Sequence, residues 1–164
     1  MKYLAFPLLS LALTGCVGDI VTYKALLKDN VLQATEGNLS GQAISQYLSA
    51  HPPQGKWTVF VPSPAHNEAL KAELQRRGLS EEQFLKSALS ADFAKAHIVP
   101  QELHLLIGTH HHKSLSGQTY RINCPADASC TIDETTTITT TTCGVTCSIP
   151  DGVAYNIVGA PLKF

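Results

Sequence analysis

The sequence is short of charge and of catalytic signatures. Asp, Glu, Lys and Arg make up 15% of its 164 residues and the net charge is −1. No basic stripe is available to track a phosphate backbone, so nucleic acid is excluded as a partner. Ser63 lacks a Gly-x-Ser-x-Gly frame, and no Gly-rich phosphate loop is present. The carboxylates are scattered: Glu81-Glu82 belong to a helix start and Asp133-Glu134 to a turn. Neither an enzyme nor a resident cofactor is expected. Repeats of fixed period are missing, which removes a repeat-built ligand array as a reading of the Thr-rich tract Thr135 to Thr142. The apolar stretch Leu4 to Leu13, interrupted by Pro7 and Ser10, falls well short of the roughly 20 residues a spanning helix needs.

That stretch has another use. Met1-Lys2-Tyr3, the apolar run and Leu13-Thr14-Gly15-Cys16 are laid out as a signal peptide. The last four residues resemble the bacterial lipobox of aliphatic, small, small, Cys. The resemblance implies cleavage after Gly15 and acylation of the Cys16 thiol, so that residues 1–15 are the signal and 16–18 the anchored N-terminus. Two acyl chains hold a protein to a bilayer where one does not. Val17 rather than Asp after the Cys resembles an outer-membrane address.

An exported chain meets an oxidising compartment. Apart from Cys16, the cysteines are Cys124, Cys130, Cys143 and Cys147. An even number reads as two disulfides, with three pairings open. Zinc is the rival, but Cys-x5-Cys and Cys-x3-Cys fit common zinc spacings poorly.

With 44% hydrophobic residues, 19–164 can bury the core of one domain. Near-helical spacing runs from Ile20 to Leu27, and Ser40 is placed to cap a helix bearing Ile44, Tyr47 and Leu48. Lys56 to Pro62 reads as a strand buried on both faces. A helix follows over 67–77, with Arg76-Arg77 at its negative end and Gly78 just beyond. Ser80-Glu81-Glu82-Gln83 is a capping box opening a helix with Phe84, Leu85, Ala88 and Leu89, and a further short helix is expected over 90–97. Leu103 to Ile107 and Ser116 to Ile122 read as strands, as does the β-branched Thr tract. Asp151-Gly152 is a turn, and Val153, Tyr155 and Ile157 alternate with Ala154, Asn156 and Val158 as in a half-buried strand ended by Pro161.

Three of these segments carry a resemblance. Thr58-Val59-Phe60-Val61-Pro62-Ser63, His97-Ile98-Val99-Pro100 and Asp151-Gly152-Val153 through Pro161 are similar, in order, to the motifs of fasciclin-like (FAS1) domains. The chain departs from the family pattern at Ala96, where the family has Tyr before its His, and at Tyr155, where it has His. The resemblance implies an α+β fold, a FAS1-type twisted β-sandwich or wedge with helices packed on one side. It marks Thr58, Val59, Phe60, Pro62, His97, Pro100, Gly152 and Val153 as family positions. It implies a cell-envelope binding module that contacts a surface protein or glycan. Some relatives instead carry a small apolar ligand such as a carotenoid.

Seven His residues raise a third reading, a metal-binding lipoprotein. On a strand, His110 and His112 share a face and offer two imidazoles to zinc, copper or nickel. A polar loop or edge strand is the simpler account of the same run, and no metal is favoured.

Overall fold

The computed structural model describes residues 38–52, 54–139, 147–149, 152–159 and 162–164. Cys16, the 20–27 segment, Cys143 and Pro161 lie outside them.

Helix α1 is Leu39–Ala50, capped by Asn38, whose Oδ1 accepts the Ser40 N–H at 3.1 Å. The cap is therefore two residues earlier than Ser40, which sits inside the first turn. The Asn67 side-chain oxygen accepts the same N–H at 3.2 Å and ties α1 to the next helix. Strand β1 (Trp57–Pro62) is buried on both faces, as its near-continuous apolar run requires.

Helix α2 is Pro64–Arg76. It begins three residues before the expected start because Ser63 caps it and Pro64 takes the first helical position, where no N–H is needed. Gly78, at φ +70°, closes its end with an N–H to the Gln75 carbonyl. The capping box forms, with Ser80 N–H to Gln83 Oε1 at 2.9 Å and Gln83 N–H to Ser80 Oγ at 3.1 Å. The helix it opens, α3, is short, Glu81–Leu85. Ser87 then caps a new helix, α4 (Ala88–Ala96), so Ala88 and Leu89 belong to α4 and its start lies before Ser90.

The remaining elements are strands: β2 (Ile98–Val99), β3 (Gly108–Lys113), β4 (Thr119–Cys124), β5 (Thr131–Ile132), β6 (Thr136–Thr139), β7 (Cys147–Ile149) and β8 (Gly152–Gly159). The described strands form one mixed sheet in the order β2-β1-β8-β6-β5-β4-β3, with β7 also paired to β8. Only β1 and β8 run parallel, Thr58 opposite Val153 and Phe60 opposite Tyr155. The sheet curls until its ends approach: the Leu115 N–H, in the β3–β4 turn, donates to the Ile98 carbonyl of β2 at 2.8 Å.

Curling gives the sheet two buried faces. On one, Val59, Val61, Ile98 and Ala154 meet Leu39, Ile44, Leu70, Leu74, Phe84 and Phe93 of the helices. On the other, Phe60, Val99, Tyr120, Ile122, Ile132, Ile138, Val153, Tyr155 and Ile157 fill the concave side. β8 is thus buried on both faces over Val153 to Tyr155 and on one face only at Ile157-Val158. Its end needs a glycine: Gly159 has φ +126°, and a Cβ there would lie 2.5 Å from the Thr135 carbonyl oxygen.

Leu103 to Ile107 does not form a strand. Side chains bond the Leu103 backbone instead. Its N–H donates to Thr58 Oγ1 at 2.9 Å, and its carbonyl accepts the Tyr155 hydroxyl at 2.8 Å. Among the described residues no helix is long and apolar enough to cross a membrane.

Candidate functional site

The three family motifs, far apart in sequence, become three adjacent strands. Thr58, Val59, Phe60 and Pro62 lie in β1, His97 and Pro100 flank β2, and Gly152-Val153 begin β8. They are scaffold: Thr58 pairs with Val99 on one side and Val153 on the other.

His97 is the exception in chemistry. It caps α4 and is fully buried. Its Nδ1 lies 2.8 Å from the Phe93 carbonyl oxygen, which can only accept, so Nδ1 carries the proton. Its Nε2 then offers a lone pair to His66 Nε2, 3.2 Å away, and His66 is the donor. The His66 Nδ1 has no hydrogen-bond partner among the described residues. Burial pushes the His66 pKa down to about 4. Burial, and next the neighbouring His66, push His97 down to about 3, against a smaller opposing effect of the Phe93 carbonyl. Both rings are neutral at pH 7.

His66 was not singled out by sequence reasoning. A signal existed: Ser63-Pro64 starts α2 early enough to put His66 on the same helical face as Leu70 and Leu74, at spacings of four.

The His run forms the edge strand β3. His110 and His112 share a face, their ring centroids 6.3 Å apart, while His111 projects from the other. His110 Nε2 donates to the Leu106 carbonyl at 3.1 Å, and His112 Nδ1 meets the Gln101 side-chain amide. Among the described residues no group of three or more His, Cys, Asp or Glu is placed to hold a metal ion. Leu106 and Ile107, just before β3, are 64% and 74% exposed, and Leu115 in the following turn is 42% exposed. These large apolar residues lie next to the two ends of β3.

A cleft of about 570 Å³ lies between α2 and the C-terminal segment, lined by Ala69, Ala72, Glu73, Arg76, Arg77, Leu162, Lys163 and Phe164. The Glu73 carboxylate bonds both Arg76 and Arg77, which hold its pKa down to about 2. Arg77 also stacks over the Phe164 ring, 5.1 Å from its centroid.

Of the four candidate disulfide cysteines, Cys124 and Cys130 are bonded to each other, their Cα atoms 4.1 Å apart. The bridge closes the β4–β5 connection.

In known proteins, the model of the Fasciclin domain family matches residues 29–155. A solved FAS1 domain pair from the insect cell adhesion molecule Fasciclin I is similar at 12% identity and a TM-score of 0.49. The likeness covers 83% of this chain and 45% of that one, so the chain spans less than half of that structure. No curated protein matches. The family match takes in β1, the helices, β2 and most of the sheet, well over half of the sequence. The chain belongs to the fasciclin-domain family.

Proposed function

We propose that the chain is a non-catalytic binding module held at the outer membrane of a bacterial cell envelope by acyl chains on Cys16, where it contacts a surface protein or glycan. The observation that carries this reading is the β3 edge. Leu106 and Ile107 are mostly exposed beside a strand that, among the described residues, has a strand neighbour on one side only. Large apolar side chains grouped in water at a sheet edge mark a contact surface. The family supplies the class of function, since fasciclin domains are adhesion modules.

The anchor is tested by Cys16→Ser. With Cys16 intact, metabolic labelling with palmitate should mark the protein, and the protein should sediment with membranes. The variant should lose the label and leave the membrane fraction, because no other feature of residues 1–18 supplies the affinity of two acyl chains. A variant that keeps its label or its membrane association would refute the anchor.

A further inference from the structure

We propose that β3 forms a metal site shared between two copies of this chain: one divalent transition-metal ion of the zinc class, held by His110 and His112 of each copy. The proposal goes beyond the adhesion reading, and its readouts, metal content and oligomeric state, do not depend on it.

Each chain offers half of a site. The His110 and His112 rings lie on the same face of β3, 6.3 Å apart and within 28° of parallel. Each is already held by one nitrogen. His110 gives its Nε2–H to the Leu106 carbonyl, leaving Nδ1 free. The Gln101 amide meets His112 at Nδ1, leaving Nε2 free. The amide nitrogen faces Nδ1 as the side chain stands, and a half-turn of the amide, exchanging its oxygen and nitrogen, lets Nδ1 donate and Nε2 present its lone pair. An imidazole fixed through its second nitrogen by a carbonyl is the arrangement that metal-bound histidines adopt. Two ligands do not satisfy a tetrahedral ion, and no third His, Cys, Asp or Glu joins them among the described residues. The nearby His104 is directed to Glu102 instead, at 3.9 Å.

The strand itself supplies the other half. The Ser114 N–H bonds the Gln118 carbonyl, and β3 pairs with β4 in the register Lys113 to Thr119, His111 to Arg121 and Thr109 to Asn123. Hydrogen-bonded pairs alternate along an antiparallel ladder. Positions 108, 110 and 112 therefore bond to β4, and the backbone groups of Thr109, His111 and Lys113 face outward. β3 is the last strand of the sheet path, so these groups have no strand partner among the described residues.

A second β3 laid antiparallel, with His111 opposite the partner's His111, satisfies all three positions. Thr109 then lies opposite the partner's Lys113, so no like charges face each other. His110 falls opposite the partner's His112 in a closely spaced pair, with Cβ atoms roughly 4.5–5.5 Å apart. Four imidazoles meet on one face, within reach of an ion that takes nitrogen at about 2.0–2.1 Å. The pairing stops at Lys113, because the next outward N–H, that of Leu115, already bonds the Ile98 carbonyl of β2. A slip of one residue would send the His pairs to opposite faces.

Native mass spectrometry of the detergent-solubilised full chain, titrated with zinc chloride and then with EDTA, reads both mass and metal count. The expected result is a monomer in EDTA and a dimer carrying one zinc ion in zinc. His110→Ala and His112→Ala should each remain monomeric at the same zinc concentration, whereas His111→Ala, on the opposite face, should still dimerise. Gln101→Ala should weaken zinc binding by about 10–100-fold through loss of ring positioning. Zinc bound to a monomer, a dimer indifferent to EDTA or to the two His variants, or no mass shift at millimolar zinc would each overturn the proposal.

Discussion

Acidification from pH 7 to pH 4 should destabilise the protein in two phases, and the first belongs to His66 and His97. Their folded pKa values, about 4 and about 3, lie below the ordinary 6.5. Below pH 6.5 the unfolded chain takes up protons that the buried pair refuses. Stability is therefore complete above pH 6.5 and is lost as pH falls from there toward the folded values. At 1.36 kcal/mol per pKa unit the full loss is roughly 3 kcal/mol for His66 and roughly 5 kcal/mol for His97, against a typical domain stability of about 5–15 kcal/mol. The depressed carboxylates, Glu73 beside Arg76 and Arg77 and Glu102 beside Lys56, act in a lower window. They lose their contribution only below the ordinary carboxylate pKa of about 4.3. The fall between pH 6.5 and 4.5 is thus a histidine signature. Urea unfolding at a series of pH values should show it, and His66→Leu should flatten it by removing one of the two titrating rings. Stability that is level across that range, or an unchanged slope in the variant, would contradict the buried pair.

Phe93→Ala should be the most damaging single truncation in the helical layer. Phe93 is fully buried and touches four other rings. Its centroid is 4.2 Å from His97, 5.1 Å from Phe164, 5.9 Å from Phe84 and 6.4 Å from His66. These neighbours come from α2, α3, the end of α4 and the C-terminal segment, so none can collapse into the space without moving its own element. Losing a buried Phe side chain costs about 3–5 kcal/mol, toward the upper end where the site cannot close. The opened space also rehydrates the His pair, whose proton affinity was lowered chiefly by burial. A shifted urea midpoint with unchanged slope, together with NMR titrations of both imidazoles moved toward 6.5, is the expected outcome. A loss below about 1 kcal/mol would mean the ring cluster is not the hub of that layer.

Much of the scaffold was legible in the sequence. Trp57 to Val61 alternates apolar side chains with almost no polar break, which fits only a strand covered on both sides. Ser80-Glu81-Glu82-Gln83 names its own hydrogen bonds, and the structure makes both. Asp133-Glu134, read as a turn, takes φ of 47° and 63° at the β5–β6 hairpin. The motif order also gave the family, which the match over residues 29–155 bears out.

Other features depend on contacts between residues distant in sequence. The parallel pairing of β1 with β8 joins Trp57 to Gly152 and leaves no local trace. Leu103 to Ile107 is more apolar than Gly108 to Lys113, yet the second forms the strand. The deciding partners are β4, across a turn that Gly117 closes at φ +88°, and the Thr58 and Tyr155 hydroxyls that hold the Leu103 backbone out of a ladder. The helix expected over 67–77 starts earlier, at Pro64, because Ser63 caps it and Pro64 fits the first helical position. With that start comes His66, the partner that turns His97 from a lone buried histidine into a pair. Three pairings of the four cysteines were open from sequence, and the bond between Cys124 and Cys130 depends on the approach of their backbones at the end of β4.

Attachment of cells bearing Leu106→Asp/Ile107→Asp, at envelope levels matched to the wild type, measures most directly whether the β3 edge is the contact surface. Both side chains are exposed, so the fold should tolerate the charges while an apolar contact should not. Attachment reduced to the level of cells lacking the protein is the expected result. Attachment equal to wild type would show that the surface contact is made elsewhere or not at all.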